Sequence, residues 1–352
     1  MKYILSLISL IVSFLIVTEA NAQKYVIITD VDDTIKISAV MAGATKFAEN
    51  AAQANAFFAM PELFRNFVNN NTNSKRGVFY VTGAKGPLAY PANHFIQVNQ
   101  FPAEISIASQ ISSSKMSLSG SISQISNFIN KLPGSAFFHH GQNDKVDPYF
   151  PIGTGSSYLN DKINQMILNG KVDAIKVIMD SDPEIIAILV GDNGQLDPDV
   201  YHKIAALYPN RTYTFIHYIY AGADKSQVNY SVLDTRKRFE IYQQQIPFFT
   251  TSELALHFYN LGFISRDEFL TITDQSLLAL DPALSSGALS HSQLEKNQKA
   301  FYASWMTGCL GFMQSDWDKI VIAQTQSDNE VNTKLTHLKN IVTSYSGCEV
   351  SR

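Results

Sequence analysis

Apolar residues gather in short runs that stop where polar or acidic residues begin. The first is Lys24-Tyr-Val-Ile-Ile-Thr-Asp30, rich in β-branched side chains and ending on an acid. Gly77-Val-Phe-Tyr-Val-Thr82, Ile185-Ile-Ala-Ile-Leu-Val190 and Thr212-Tyr-Thr-Phe-Ile-His-Tyr218 have the same character. Unbroken rather than alternating hydrophobicity marks strands covered on both faces, as in a parallel sheet. Between these runs apolar positions recur at helix spacing, most clearly over Pro61 to Asn69, Lys171 to Met179 and Pro198 to Leu207. The alternation predicts an α/β fold, an open parallel sheet with helices on both faces. In such a sheet ligands sit beyond the carboxyl ends of the strands.

The ends of the chain differ from this pattern. Lys2 precedes an apolar run from Ile4 to Val17, and Ala20-Asn21-Ala22 follows as a small-x-small cleavage site. Residues 1–22 therefore read as a secretory signal, and the run is short of the roughly 18 to 20 residues that span a bilayer. The expectation is an exported protein, periplasmic or secreted, with no transmembrane segment after signal cleavage. The α/β domain is expected over 23–250, with a Ser-, Gln- and Asn-rich, partly irregular insertion at about 100–157. From 251 to 352 the pattern is mostly helical and predicts a helical C-terminal extension.

Composition narrows the functional classes. The chain is 45% hydrophobic with a formal charge of -4, and Lys2 and Glu19 cancel, so signal removal leaves that charge unchanged. Without clustered Lys and Arg to neutralise phosphates, nucleic acid is excluded as a partner. Cys309 and Cys348 are the two cysteines. An oxidising compartment favours a disulfide between them, and two free thiols are the alternative.

The strand ending at Asp30 continues as Asp30-Val-Asp32-Asp-Thr34, which resembles the Asp-x-Asp-x-Thr signature of haloacid dehalogenase phosphatases. The spacing suits the chemistry. One carboxylate attacks phosphorus and forms an aspartyl phosphate, while the second, two residues on, protonates the leaving alcohol and later activates water. Dehalogenases lack that second acid. Thr82 ends its strand where the superfamily places a hydroxyl for the transferring phosphoryl group, and Thr34 joins it as a candidate substrate contact. Lys171, after Gly170, opens its helical segment and supplies a cation for the nucleophile and the phosphoryl oxygens. Asp192 and Asp197 follow an apolar strand five residues apart. With Asp30 and the main-chain carbonyl of Asp32 they make a candidate site for Mg2+, which prefers hard oxygen ligands. Asp197 precedes Pro198 and also reads as a helix cap.

The string Gly191-Asp-Asn-Gly-Gln-Leu-Asp-Pro-Asp-Val-Tyr201 is similar to the Gly-Asp-Ser-Gly-Gln-x-Asp-Pro-Glu-x-Tyr hallmark of the actin-patch-associated phosphatidate phosphatase family. Lys171 stands where that family has its motif lysine. Asp30-Val-Asp-Asp-Thr-Ile35, Phe79-Tyr-Val-Thr82 and Leu261-Gly-Phe-Ile-Ser265 also match. The resemblance spans about 24–265 with gaps. It implies a haloacid dehalogenase-like fold, magnesium dependence, and a phosphate-ester substrate, with phosphatidate at a membrane surface the preferred one. Two segments depart from the family: Thr82-Gly-Ala-Lys-Gly-Pro87 and the longer stretch 100–157. Both lie where substrate choice is made.

Two other functions fit the same residues: a phosphatase of a soluble phosphate ester or phosphoprotein, and a catalytically idle phosphate-binding module. The acid at Asp32 argues against idleness. His139 and His140 near Asp144 lack a third spaced ligand and read as a polar loop, and Gly153-Thr-Gly-Ser-Ser157 reads as a flexible loop. Phe301, Tyr302, Trp305 and Phe312 lie at helical spacing and read as core, with a lipid-facing surface as the alternative.

Overall fold

The computed structural model describes residues 23–38, 55–70, 75–82, 89–102, 134–139, 157–194, 196–218, 241–281 and 328–345. Its elements follow in the order β1 (Lys24–Thr29), α1 (Met60–Asn69), β2 (Lys75–Thr82), α2 (Ala89–Val98), β3 (Gly134–His139), α3 (Ser157–Asp180), β4 (Ile185–Asp192) and α4 (Asp197–Leu207). β5 (Thr212–His217), β6 (Ile246–Phe248), α5 (Thr251–Asn260), α6 (Arg266–Leu280) and α7 (Asn329–Tyr345) complete them. The strands form one six-stranded sheet in the order β3-β2-β1-β4-β5-β6, every neighbouring pair parallel. From β1 the chain builds outward through β2 and β3, then crosses back to place β4 on the other side of β1. That reversal is the switch point at which parallel sheets open a crevice.

Successive side chains of a strand point to opposite faces, so β1, β2, β4 and β5 each feed two cores. Ile27, Val78, Tyr80, Ile188, Val190 and Phe215 join one cluster with Leu63, Phe64 and Phe67 of α1, Phe95 of α2 and Phe258 of α5. Val26, Ile28, Phe79, Val81, Leu189 and Ile216 join the other with Ile175, Ile178 and Met179 of α3 and Val200 and Ile204 of α4. Full burial of side chains this large contributes about 1.5–3 kcal/mol each. Phe269 of α6 and Leu335 of α7 lie in the first cluster, so α5, α6 and α7 are part of the sheet's covering layer.

Several elements differ from the sequence expectation. The stretch at 100–157 contains an edge strand, β3, paired with β2, and His139 ends that strand instead of lying in a polar loop. The helix carrying Lys171 begins at Ser157, so Lys171 lies inside it rather than opening it. Gly170 costs such a helix only about 1 kcal/mol and does not end it. β6, with Pro247 in its middle, is an edge strand where a missing N–H is tolerated. No helix among the described residues is long and apolar enough to cross a membrane. The signal segment 1–22, residues 83–88, His140, Gly153 to Ser156, the aromatic stretch 301–317, Cys309 and Cys348 lie outside the described residues.

Candidate active site

The carboxyl ends of β1 and β4 bring three acids together. The β1–β4 ladder runs past the last strand residue, since the Asp30 amide donates to the Val190 carbonyl at 3.0 Å. Asp192 closes β4 two residues later, and Asp197 starts α4. One carboxylate oxygen from each of Asp30, Asp192 and Asp197 lies within 4.8 Å of the others, and all three residues are buried.

Lys171 reaches this cluster from α3. Its Nζ lies 2.8 Å from Asp30 Oδ1 and 2.6 Å from Asp197 Oδ1. Both bonds are buried, and charge-assisted bonds of this kind are strong in a low-dielectric interior. The other oxygen of Asp197 accepts from the Asp192 amide at 3.2 Å, and Asp192 Oδ1 accepts from the Gly194 amide at 2.6 Å. The N-cap of α4 is Leu196, whose side chain makes no capping bond, and Asp197 is the first residue of the helix. The expected double role of Asp197 fails because its carboxylate is turned inward to Lys171 and Asp192.

Three buried carboxylates face one ammonium, and the protonation equilibria reflect it. Burial pushes the Asp30 carboxyl up to about 8; Lys171 pulls it down, while Asp197 and Asp32 push it further up. Burial and the neighbouring Asp197 and Asp30 raise Asp192 well above the usual carboxylate range. Burial alone would lower Lys171, but Asp197 and Asp30 outweigh it and hold the ammonium charged. Such an excess of buried negative charge, on an all-oxygen donor set, suits a hard divalent cation.

The other predicted residues surround this centre. Asp32 is not in the acidic cluster. Its carboxylate takes a hydrogen bond from the Ser38 hydroxyl, and the Lys36 ammonium lies 3.6 Å away. Thr34 is buried, and its Oγ1 has no hydrogen-bond partner among the described residues, although its carbonyl lies 3.0 Å from His217 Nδ1. Thr82, also buried, closes β2 at the same edge of the sheet. The turn between Asp32 and Lys36 is tight: Asp33 adopts a left-handed φ of 60°, and its amide donates to the Lys36 carbonyl at 2.7 Å. Asp tolerates that region better than most side chains.

Sequence reading assigned no role to several residues that hold this geometry. Tyr201 donates its hydroxyl to the Val190 carbonyl at 2.8 Å, fastening α4 to the end of β4. His217, at the end of β5, spans two loops. Its ring nitrogens face the carbonyls of Thr34 and Phe249 at 3.0 and 3.1 Å, and its own carbonyl accepts from the Asn193 amide at 3.1 Å. The tyrosine was visible as part of the acidic string, but its partner is a main-chain atom that no spacing reveals. His217 sits inside an apolar strand run, where a histidine carries no separate signal.

A parallel sheet with an Asp-x-Asp turn after its first strand, a helix-borne lysine on the leading acid and an acidic loop after the fourth strand defines a haloacid dehalogenase-like hydrolase. The model of the phosphatidate phosphatase APP1 catalytic domain matches residues 25–150 and 151–217, more than half of the chain, and the chain belongs to that family. Neither a curated protein nor a solved structure gives a significant match to it.

Proposed function

We propose that this phosphohydrolase is an exported, magnesium-dependent enzyme that hydrolyses phosphatidate through an aspartyl phosphate on Asp30. The observation that carries the reading is the buried contact of Lys171 with both Asp30 and Asp197, beside Asp192 at the sheet's switch point. A buried ammonium placed on a carboxylate at that edge orients the nucleophile and offers positive charge to an entering phosphoryl group.

Asp30, Asp192 and the main-chain carbonyl of Asp32 would hold the magnesium ion, with Asp197 bracing Lys171 and the Asp192 amide. When bound, the ion neutralises charge on the phosphoryl oxygens and orients them. In the first half-reaction an Asp30 oxygen attacks phosphorus in line, the bond from phosphorus to the ester oxygen breaks, and Asp32 gives its proton to the leaving alkoxide. In the second, Asp32 takes a proton from water as the water oxygen attacks phosphorus. The bond to Asp30 breaks, inorganic phosphate leaves, and both acids return to their starting states. Thr34 and Thr82 supply hydroxyls to the phosphoryl group.

Family membership supports phosphatidate as substrate, and the segments 82–87 and 100–157 are where the choice between lipid and soluble ester is made. The N-terminal signal pattern supports export. Phosphate release by the purified protein from phosphatidate in mixed micelles and from soluble phosphate esters, with magnesium and with excess chelator, tests the assignment. Magnesium-dependent release that favours phosphatidate is the expected result. Preference for a soluble ester overturns the lipid substrate, and no release from any ester leaves an idle binding module.

A further inference from the structure

The chain that leaves Asp32 turns back and lays two of its own side chains on that carboxylate. Ser38 donates its hydroxyl to Asp32 Oδ1, and Lys36 Nζ lies 3.6 Å from the same oxygen. Ser38 and Lys36 are both buried. Their backbone is fixed by antiparallel bonding with residues 55–57: the Ile37 amide donates to the Asn55 carbonyl at 2.8 Å, and the Phe57 amide donates to the Ile35 carbonyl at 3.1 Å. The Ser38 amide also donates to Asp33 Oδ1 at 3.0 Å, closing the loop. The Asp32 side chain keeps 21% of its surface exposed, against 4% for Asp30 and 0% for Asp197. Of these acids, Asp32 is therefore the one a leaving alcohol or a water can reach.

We propose that Ser38 and Lys36 are positioning residues for proton transfer by Asp32. They pin Oδ1 and so assign the travelling proton to Oδ2. An oxygen that already accepts from a hydroxyl and faces an ammonium is a poor place for a proton, because its lone pairs are engaged by positive groups. The proton on Oδ2 passes to the ester oxygen as its bond to phosphorus breaks. Oδ2 is refilled from water when the water oxygen bonds to phosphorus. The inference rests on the reading of Asp32 as the acid and base of a phosphohydrolase.

A residue that only shaped the loop would affect all substrates alike. A residue that aims the acid matters in proportion to how much proton the leaving group needs. The test is kcat/KM with p-nitrophenyl phosphate, whose phenolate leaves with little help, and with phenyl phosphate, whose leaving group is more basic. Comparing kcat/KM confines the comparison to phosphoryl transfer from the substrate. Ser38→Ala is expected to lower the phenyl phosphate value about 10-fold more than the p-nitrophenyl phosphate value, a part of the roughly 100- to 10,000-fold that general acid catalysis supplies. Ser38→Thr, which keeps the hydroxyl, is expected to restore most of the difference. Lys36→Met should discriminate in the same direction, and it carries the comparison should Ser38→Ala fail to fold. In an Asp32→Asn background neither change should add discrimination. Equal losses on both substrates, or none, overturn the proposal while an active wild type and an inactive Asp30→Asn leave the phosphohydrolase standing. A folded wild type that releases phosphate neither from these esters nor from phosphatidate overturns both.

Discussion

Gly191 and Asp197 stand so close that a side chain at 191 has no room: a β-carbon there would lie 2.6 Å from the β-carbon of Asp197 and 2.7 Å from its Oδ2. The same β-carbon would meet the Tyr201 ring at 2.6 Å. The glycine of the Gly-Asp pair thus lets α4 close onto the end of β4 and carry Asp197 to Lys171 and the Asp192 amide.

Gly191→Ala is accordingly expected to cost stability on the scale of core overpacking, about 1–3 kcal/mol, and to lower activity by displacing Asp197. Urea unfolding and phosphate release on the same preparation check both. An unchanged midpoint and rate would show that α4 shifts freely and that this close approach is incidental.

Metal dependence is tested by removing a ligand. Excess chelator should abolish turnover, and magnesium should restore it. Asp192→Ala should raise the magnesium concentration for half-maximal activity by at least about 10-fold, the scale on which even outer-shell partners of a metal site act. Full activity of the wild type in excess chelator would refute the assignment of these carboxylates to a cation.

Acid should destabilise the fold through two buried histidines. His257 of α5 packs by the Phe215 ring, with centroids 5.4 Å apart, and its Nε2 has no hydrogen-bond partner among the described residues. Burial pushes it down from 6.5 to about 4. Burial lowers His217 equally, to about 4, although the Thr34 and Phe249 carbonyls pull it up. Between about 6.5 and 4 the unfolded chain binds protons that the folded chain refuses. The stability present above that window is therefore lost as pH falls through it. His257→Phe should flatten part of this loss, read as the change in Tm between neutral pH and pH about 4. An identical pH dependence in the variant would mean that His257 does not titrate with unfolding.

Much of the sheet was legible because its strands are continuous β-branched runs, as in Val26 to Ile28 and Ile185 to Val190, a pattern that few other elements share. β3 was missed because Gly134-Ser-Ala-Phe-Phe-His139 has only two large apolar residues and follows a Ser-rich stretch. The first half of α3 was missed because Asn160, Asn164 and Asn169 dilute its periodicity before Gly170. Asp30, Lys171, Asp192 and Asp197 could be read from spacing, and the structure brings these four together. The attention of Ser38 and Lys36 to Asp32 could not be, since it depends on a loop that reverses and pairs with residues 55–57. Spacing along the chain reports which chemistry is present; it does not report which oxygen of a carboxylate a returning loop will hold.

Asp30 bears the central claim, and its replacement by asparagine isolates it. The change is nearly isosteric and leaves Lys171 bonded to Asp197, so the variant should unfold cooperatively with a midpoint close to that of the wild type in chelator, because the crowded cluster loses a carboxylate without losing its packing. The amide cannot form the aspartyl phosphate. The decisive measurement is magnesium-dependent phosphate release by folded Asp30→Asn against the wild type on the same ester. A rate lower by about 1,000-fold or more is the result predicted, in keeping with the loss of a nucleophile. A rate close to that of the wild type would show that phosphorus is attacked by some other group and that the buried contact between Asp30 and Lys171 serves the fold alone.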